Sequence, residues 1–361
     1  MLKNLFMFRV LWYGLIVIAF SSCIKDEFSD IQNFDFKGTR GVWVVNEGNF
    51  LFENASLSYI LLETGDVFSE VFFKTNGVPL GDVAQSIHVW ENKAFVVVNN
   101  SQKVYVIDVF TGKFLGKITE LVSPRYIQII SDKKAYVTDL YAQKIAIVNP
   151  SQYTVTGWID VKNGISNQHS TEQMCKWGDS VFVSCWLNDR TVLLIDSQTD
   201  KVVDSVQVGI QPNSMVIDKY QKLWVLCDGG LATGLYGRKK ATLHCIDLAS
   251  LEVEITYTFA NIEDSPHSLS INSEKDTLYF INKDVYKMSV KDVFLPKSAF
   301  IERHENLFYG LGVSPYNNEV FVADAIDYVQ NGIIYRYSSS GKLLEIYEAG
   351  IIPSKFYFME K

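Results

Sequence analysis

The sequence predicts an all-β fold, a seven-bladed β-propeller closed by the C-terminal strand. Three observations predict it. A short strand motif recurs seven times, its starting positions 41 to 55 residues apart. Aromatic residues are abundant, with 7 Trp, 19 Tyr and 23 Phe in 361 residues, and such side chains suit a pleated, half-buried surface. Between the motifs no stretch shows the apolar spacing of an amphipathic helix.

The N-terminus is read separately. Lys3 and Arg9 form a short positive region, and Val10 to Phe20 is an almost unbroken apolar run. That run is shorter than the roughly 20 residues needed to cross a bilayer, so residues 1–22 read as a signal peptide. It ends in Ser21-Ser22-Cys23, which looks like a bacterial lipoprotein cleavage site with Cys23 as the lipidated residue. Residues 23–40 then form the anchor and linker, and 41–361 the propeller.

The recurring motif reads Trp43-Val44-Val45-Asn46, Phe95-Val96-Val97-Val98, Tyr136-Val137-Thr138-Asp139, Phe182-Val183-Ser184-Cys185, Trp224-Val225-Leu226-Cys227, Tyr279-Phe280-Ile281-Asn282 and Phe321-Val322-Ala323-Asp324. After most copies comes a strand ending in Ile/Val-Asp/Asn, such as Val106-Ile107-Asp108. A turn and a further strand follow, such as Lys201-Val202-Val203-Asp204, and then a strand led by Pro, such as Pro124-Arg125-Tyr126-Ile127. Four short strands per repeat describe one propeller blade, whose two faces are buried only by its neighbours. The first copy lacks a Pro-led innermost strand, and Pro353 to Phe358 supplies it. Closing the ring in this way covers two strand edges that would otherwise pair with other chains.

Composition narrows the function. The formal net charge is −8, with 33 Lys plus Arg against 41 Asp plus Glu, so no nucleic-acid partner is expected, because phosphate neutralisation demands a basic surplus. HExxH, GxSxG and P-loop motifs are absent from the sequence, and no enzyme is expected. Cys175, Cys185, Cys227 and Cys245 match no zinc-ligand spacing and read as buried small residues without a metal or a disulfide.

Propeller sites lie where each blade sends a residue to the channel mouth. Aligning the innermost strands places one residue per blade just after the Pro position: Gln85, Arg125, Glu172, Asn213, His267, Tyr309 and Ser354. The seven differ at every position, which suits an irregular ligand with different groups around its edge. A second ring comes from the ends of the motif strands and the turns after them: Asn46 and Glu47, Asn99 and Asn100, Asp139 and Tyr141, Trp186 and Asn188, Asp228, Asn282 and Asp324, with Tyr328 as a further flanking aromatic. The insertion from Gly229 to Ala241 reads either as a lid over the mouth or as a solvated basic loop.

Several strings carry a family resemblance. Tyr136-Val137-Thr138-Asp139 resembles the YVTN class of seven-bladed propellers. Asn46-Glu47-Gly48-Asn49-Phe50, Pro79-Leu80-Gly81-Asp82, Ser123-Pro124-Arg125-Tyr126, Ser170-Thr171-Glu172-Gln173-Met174, Gly209-Ile210-Gln211-Pro212 and Asp324-Ala325-Ile326-Asp327-Tyr328 resemble surface lipoproteins of gut Bacteroidetes, including the BtuG group. Ile24-Lys25-Asp26-Glu27 is similar to their acidic surface-export tag. The resemblance implies a lipid-anchored, cell-surface protein of the outer membrane. It would capture cobalamin (vitamin B12) or another corrinoid and partner a BtuB-like TonB-dependent transporter. The other expectation is a non-catalytic propeller that binds a protein or a glycan.

Overall fold

The computed structural model describes residues 31–161 and 169–360. Cys23 and the leader lie outside the described residues. The propeller is built from seven sheets, six of four strands and one of three. The innermost strands are Ala84–Trp90, Pro124–Ser131, Thr171–Trp177, Pro212–Ile217, His267–Ile271 and Phe308–Val313 for blades two to seven. The first blade takes its innermost strand from the chain's other end. Pro353–Met359 pairs antiparallel with Gly41–Asn46, aligning Trp43 with Tyr357.

Alternation along the motif strands explains why the blades hold together. Successive side chains of a strand point to opposite faces, so each motif strand feeds two interfaces. Val96 and Val98 pack with Trp43 and Val45 of the first blade, whereas Phe95 and Val97 pack with Ile127 and Ala135 of the third. The same logic yields seven buried clusters, one for each pair of neighbouring blades. The last interface closes the ring. Val42 and Val44 meet Phe321 and Ala323 there, and Phe358 lies edge-on to Phe321 with centroids 5.2 Å apart. Deleting one such buried aromatic side chain costs about 3–5 kcal/mol.

Side chains stitch the innermost strands to one another around the channel. The Ser86 hydroxyl donates to the Arg125 carbonyl at 2.7 Å, and the Leu269 N–H donates to Ser214 Oγ at 3.0 Å. At Gly310 the chains approach so closely that a Cβ would sit 2.5 Å from the Ser354 carbonyl oxygen. Glycine is required there by contact with the closing strand.

Two local features depart from the repeat. Blade six has three strands, His267–Ile271, Thr277–Asn282 and Asp284–Ser289. In blade one the outermost strand is only Val67–Phe68, and a short helix, Val71–Asn76, follows it with Val71 and Phe72 buried. None of the four described cysteines is paired.

Candidate functional site

One end of the channel opens into a cavity of about 400 Å³, and all seven residues of the first ring line it. The sheet registers explain how. Every innermost strand carries a β-bulge or comparable register shift near its start. An extra residue on one strand bends it and re-aims its side chains. In several blades two successive residues therefore face the cavity: Arg125 with Tyr126, Glu172 with Gln173, Asn213 with Ser214, and Ser354 with Lys355.

Polar and charged groups of different blades meet across the cavity. Arg125 grips Glu172 in a two-point pair, Nε donating to Oε2 at 2.6 Å and Nη2 to Oε1 at 2.8 Å. Its Nη1 donates to Gln85 Oε1 at 2.6 Å, and the guanidinium lies 5.8 Å from the centre of the Trp186 ring. Burial works against the guanidinium charge, but Glu172 outweighs it and holds Arg125 firmly protonated. Opposite, the Tyr309 hydroxyl donates to Glu47 Oε2 at 3.0 Å. Burial pushes the Glu47 carboxyl up, against the pull of Lys355, Tyr309 and Ser354. Burial also opposes charge on Lys355, yet Tyr126, Glu47 and Glu172 together raise it, so it stays an ammonium.

On the remaining side, Trp186 Nε1 donates to Asp228 Oδ2 at 3.2 Å and Asn213 Nδ2 donates to the Pro266 carbonyl at 2.8 Å. Burial raises the Asp228 carboxyl. Burial, aided by Lys355, lowers His267 to about 4, so its imidazole is neutral at pH 7. His267 Nδ1 lies 3.0 Å from Ser268 Oγ. Ser354 Oγ donates to the Val45 carbonyl at 3.5 Å.

The second ring divides. Trp186, Glu47 and Asp228 line the cavity. Tyr328 flanks it, edge-on to Tyr309 at 5.7 Å. Tyr141 is 57% exposed and outside the lining. Asn188 is also outside, its Oδ1 accepting from the Leu235 N–H at 3.0 Å. That bond, with Arg190 against Tyr236 and Arg238 donating to the Ile262 carbonyl, spreads the 229–241 insertion over neighbouring loops. No insertion residue lines the cavity. Lys355 escaped the sequence reading because strict alternation after Ser354 turns it away from the channel. Glu47 and Asp228 were visible only as two polar strand-end residues among many.

A family model described as Domain of unknown function (DUF5074) matches residues 40–358, and the chain belongs to that family. No curated protein sequence matches it. Among solved structures it is similar to a quinoprotein alcohol dehydrogenase-like protein of Bacteroides thetaiotaomicron, at 15% identity and a TM-score of 0.68, covering 91% of this chain and 79% of that one. It is also similar to the periplasmic gluconolactonase of Pseudomonas aeruginosa, at 12% identity and a TM-score of 0.66, covering 89% and 99%. At such identities the likeness shows the fold alone. Among the described residues no helix is long and apolar enough to cross a membrane.

Proposed function

Taking the chain as a DUF5074 propeller, we propose that it is a lipid-anchored surface protein that captures cobalamin or a related corrinoid at the cavity mouth. It then passes this cargo to a TonB-dependent transporter in the outer membrane. The observation that carries the reading is the lining itself, which repeats no residue around its first ring and mixes carboxylates with cations, Arg125 being paired with Glu172. A neutral ligand edged with amides matches such a surface, whereas an anion or a cation meets a mixture of signs. A corrinoid is larger than about 400 Å³, so its edge amides enter while its ring system rests on the rim. Trp186 and Tyr328 offer aromatic surface there, and Tyr141 stands exposed further out.

Calorimetry with cobalamin tests the reading. Replacing Gln85, Asn213 and Trp186 together by Ala removes two amides and one aromatic anchor but spares the Arg125–Glu172 pair. Each loss is worth about tenfold, so the triple variant should bind about a thousandfold more weakly. Equal binding by a variant of unchanged melting temperature would place the ligand elsewhere. Complete absence of binding by the native protein would overturn cobalamin, and a glycan panel in the same instrument then reads the interaction alternative. The anchor is read separately: Cys23→Ala should release the protein into soluble fractions, and retention with the outer membrane rejects lipidation.

One observation favours a second reading, hydrolysis of a sugar lactone. Neutral His267 and the raised Glu47 carboxyl share one cavity with the cations Arg125 and Lys355. Neutral His267 accepts a proton from water only as a weak base, its pKa lying at about 4, and a cation stabilises the oxyanion that forms. Turnover of gluconolactone, lost in His267→Gln, would support this reading; no turnover eliminates it.

A further inference from the structure

Blade four holds a second cluster, separate from the cavity. His169 precedes its innermost strand, Cys185 ends its motif strand, and Asp189 lies in the loop that follows. A donor atom from each lies within 4.8 Å of the other two. The three residues are 7%, 0% and 6% exposed, and none lines the cavity.

From this geometry we infer that His169, Cys185 and Asp189 form a binding site for a divalent zinc ion. One thiolate, one imidazole and one carboxylate make a ligand set that zinc accepts, with a fourth position left for water. The thiolate and carboxylate neutralise the cation, and the thiol proton is released on binding. Zinc ligand bonds of about 2.0–2.3 Å set ligand separations of roughly 3.3–3.6 Å in a tetrahedron. His169 Nδ1 and Asp189 Oδ2, now 2.7 Å apart, need to open by about 0.6–0.9 Å.

Two further observations bear on the cluster. Among the described residues Cys185 is buried and forms no disulfide, so its sulfur is available to a ligand. The loop is also held in place. Asn188 adopts a left-handed φ of 54°, the Trp186 N–H donates to the Ser170 carbonyl, the Gln211 N–H to the Asp189 carbonyl, and the Arg190 N–H to Asp189 Oδ1. Blade five provides an internal control. Cys227 occupies the same place in its register as Cys185, opposite the first residue of the innermost strand, yet no such cluster gathers there among the described residues.

Competition against a chromophoric zinc chelator should find one zinc per protein, and X-ray absorption at the zinc edge should show one sulfur ligand. Cobalt(II) substitution should produce a thiolate-to-cobalt charge-transfer band. Cys185→Ser should abolish that band, His169→Gln should weaken zinc at least tenfold, and Cys227→Ala should change neither. No stoichiometric zinc, a zinc shell without sulfur, or a band that survives in Cys185→Ser overturns the site. The absorption measurement on the native protein decides the matter even if the variants fail to fold.

Discussion

Glu172→Met tests the cavity's internal pairing most directly. It leaves Arg125 charged, with Gln85, the Trp186 ring and the more distant Glu47 carboxylate but no ion-pair partner in contact. Removing one member of a buried ion pair costs about 3–5 kcal/mol. The side chains of Arg125 and Glu172 are 13% and 5% exposed, on a wall of the cavity, so the lower end applies, about 3 kcal/mol. The entropy of unfolding is about 2.1 cal/mol/K per residue, which over residues 40–358 gives about 0.7 kcal/mol/K, or about 1.5 °C per kcal/mol. Glu172→Met should therefore melt about 4–5 °C below the native protein. Arg125→Met, which strands the carboxylate instead, should do likewise. The double variant should recover to within about 1 kcal/mol of the native protein, because no unpaired charge remains. Scanning calorimetry on the four proteins completes the cycle. If Glu172→Met melts within 1 °C of native, or the two single losses merely add in the double variant, the pair does not hold the cavity wall.

Two further outcomes follow from the fold. Deleting Ile352 to Lys361 strips the first blade of its innermost strand and Phe321 of Phe356 and Phe358, so the protein should aggregate or lose its cooperative melt; an unchanged melting curve would mean the ring closes by other contacts. Acid should destabilise the protein through His244, lowered by burial to about 4, whose Nε2 accepts from the Gly209 N–H at 2.8 Å and is not free to carry a proton. The unfolded chain takes up that proton near pH 6.5 and the folded one only near 4, so this stability is complete above 6.5 and declines as pH falls to 4. His267 adds to the decline with the same sign. His244→Gln should flatten melting temperature against pH over that interval, and parallel curves for variant and native would refute the assignment.

The sequence by itself determined the ring. Strand alternation is a property of the local backbone, so Val96 and Val98 facing one neighbour while Phe95 and Val97 face the other follows from their order alone. The missing innermost strand of the first blade and the Pro-led segment at 353–358 determined how the ring closes. One cavity residue per blade was legible for the same reason, since a repeat carries equivalent positions to equivalent places. Tertiary structure decided what those residues do. The bulges that turn Lys355 and Tyr126 into the channel break the alternation a sequence reading relies on. The pairing of Glu47 with Tyr309, 262 positions apart, depends on the channel's width and on the closure that brings the first blade against the seventh. His169, Cys185 and Asp189 follow no zinc-ligand spacing, and only the folding of blade four brings their donor atoms to within 4.8 Å. Periodicity is written in neighbouring residues; the meeting of side chains across a ring is fixed only once the ring has closed.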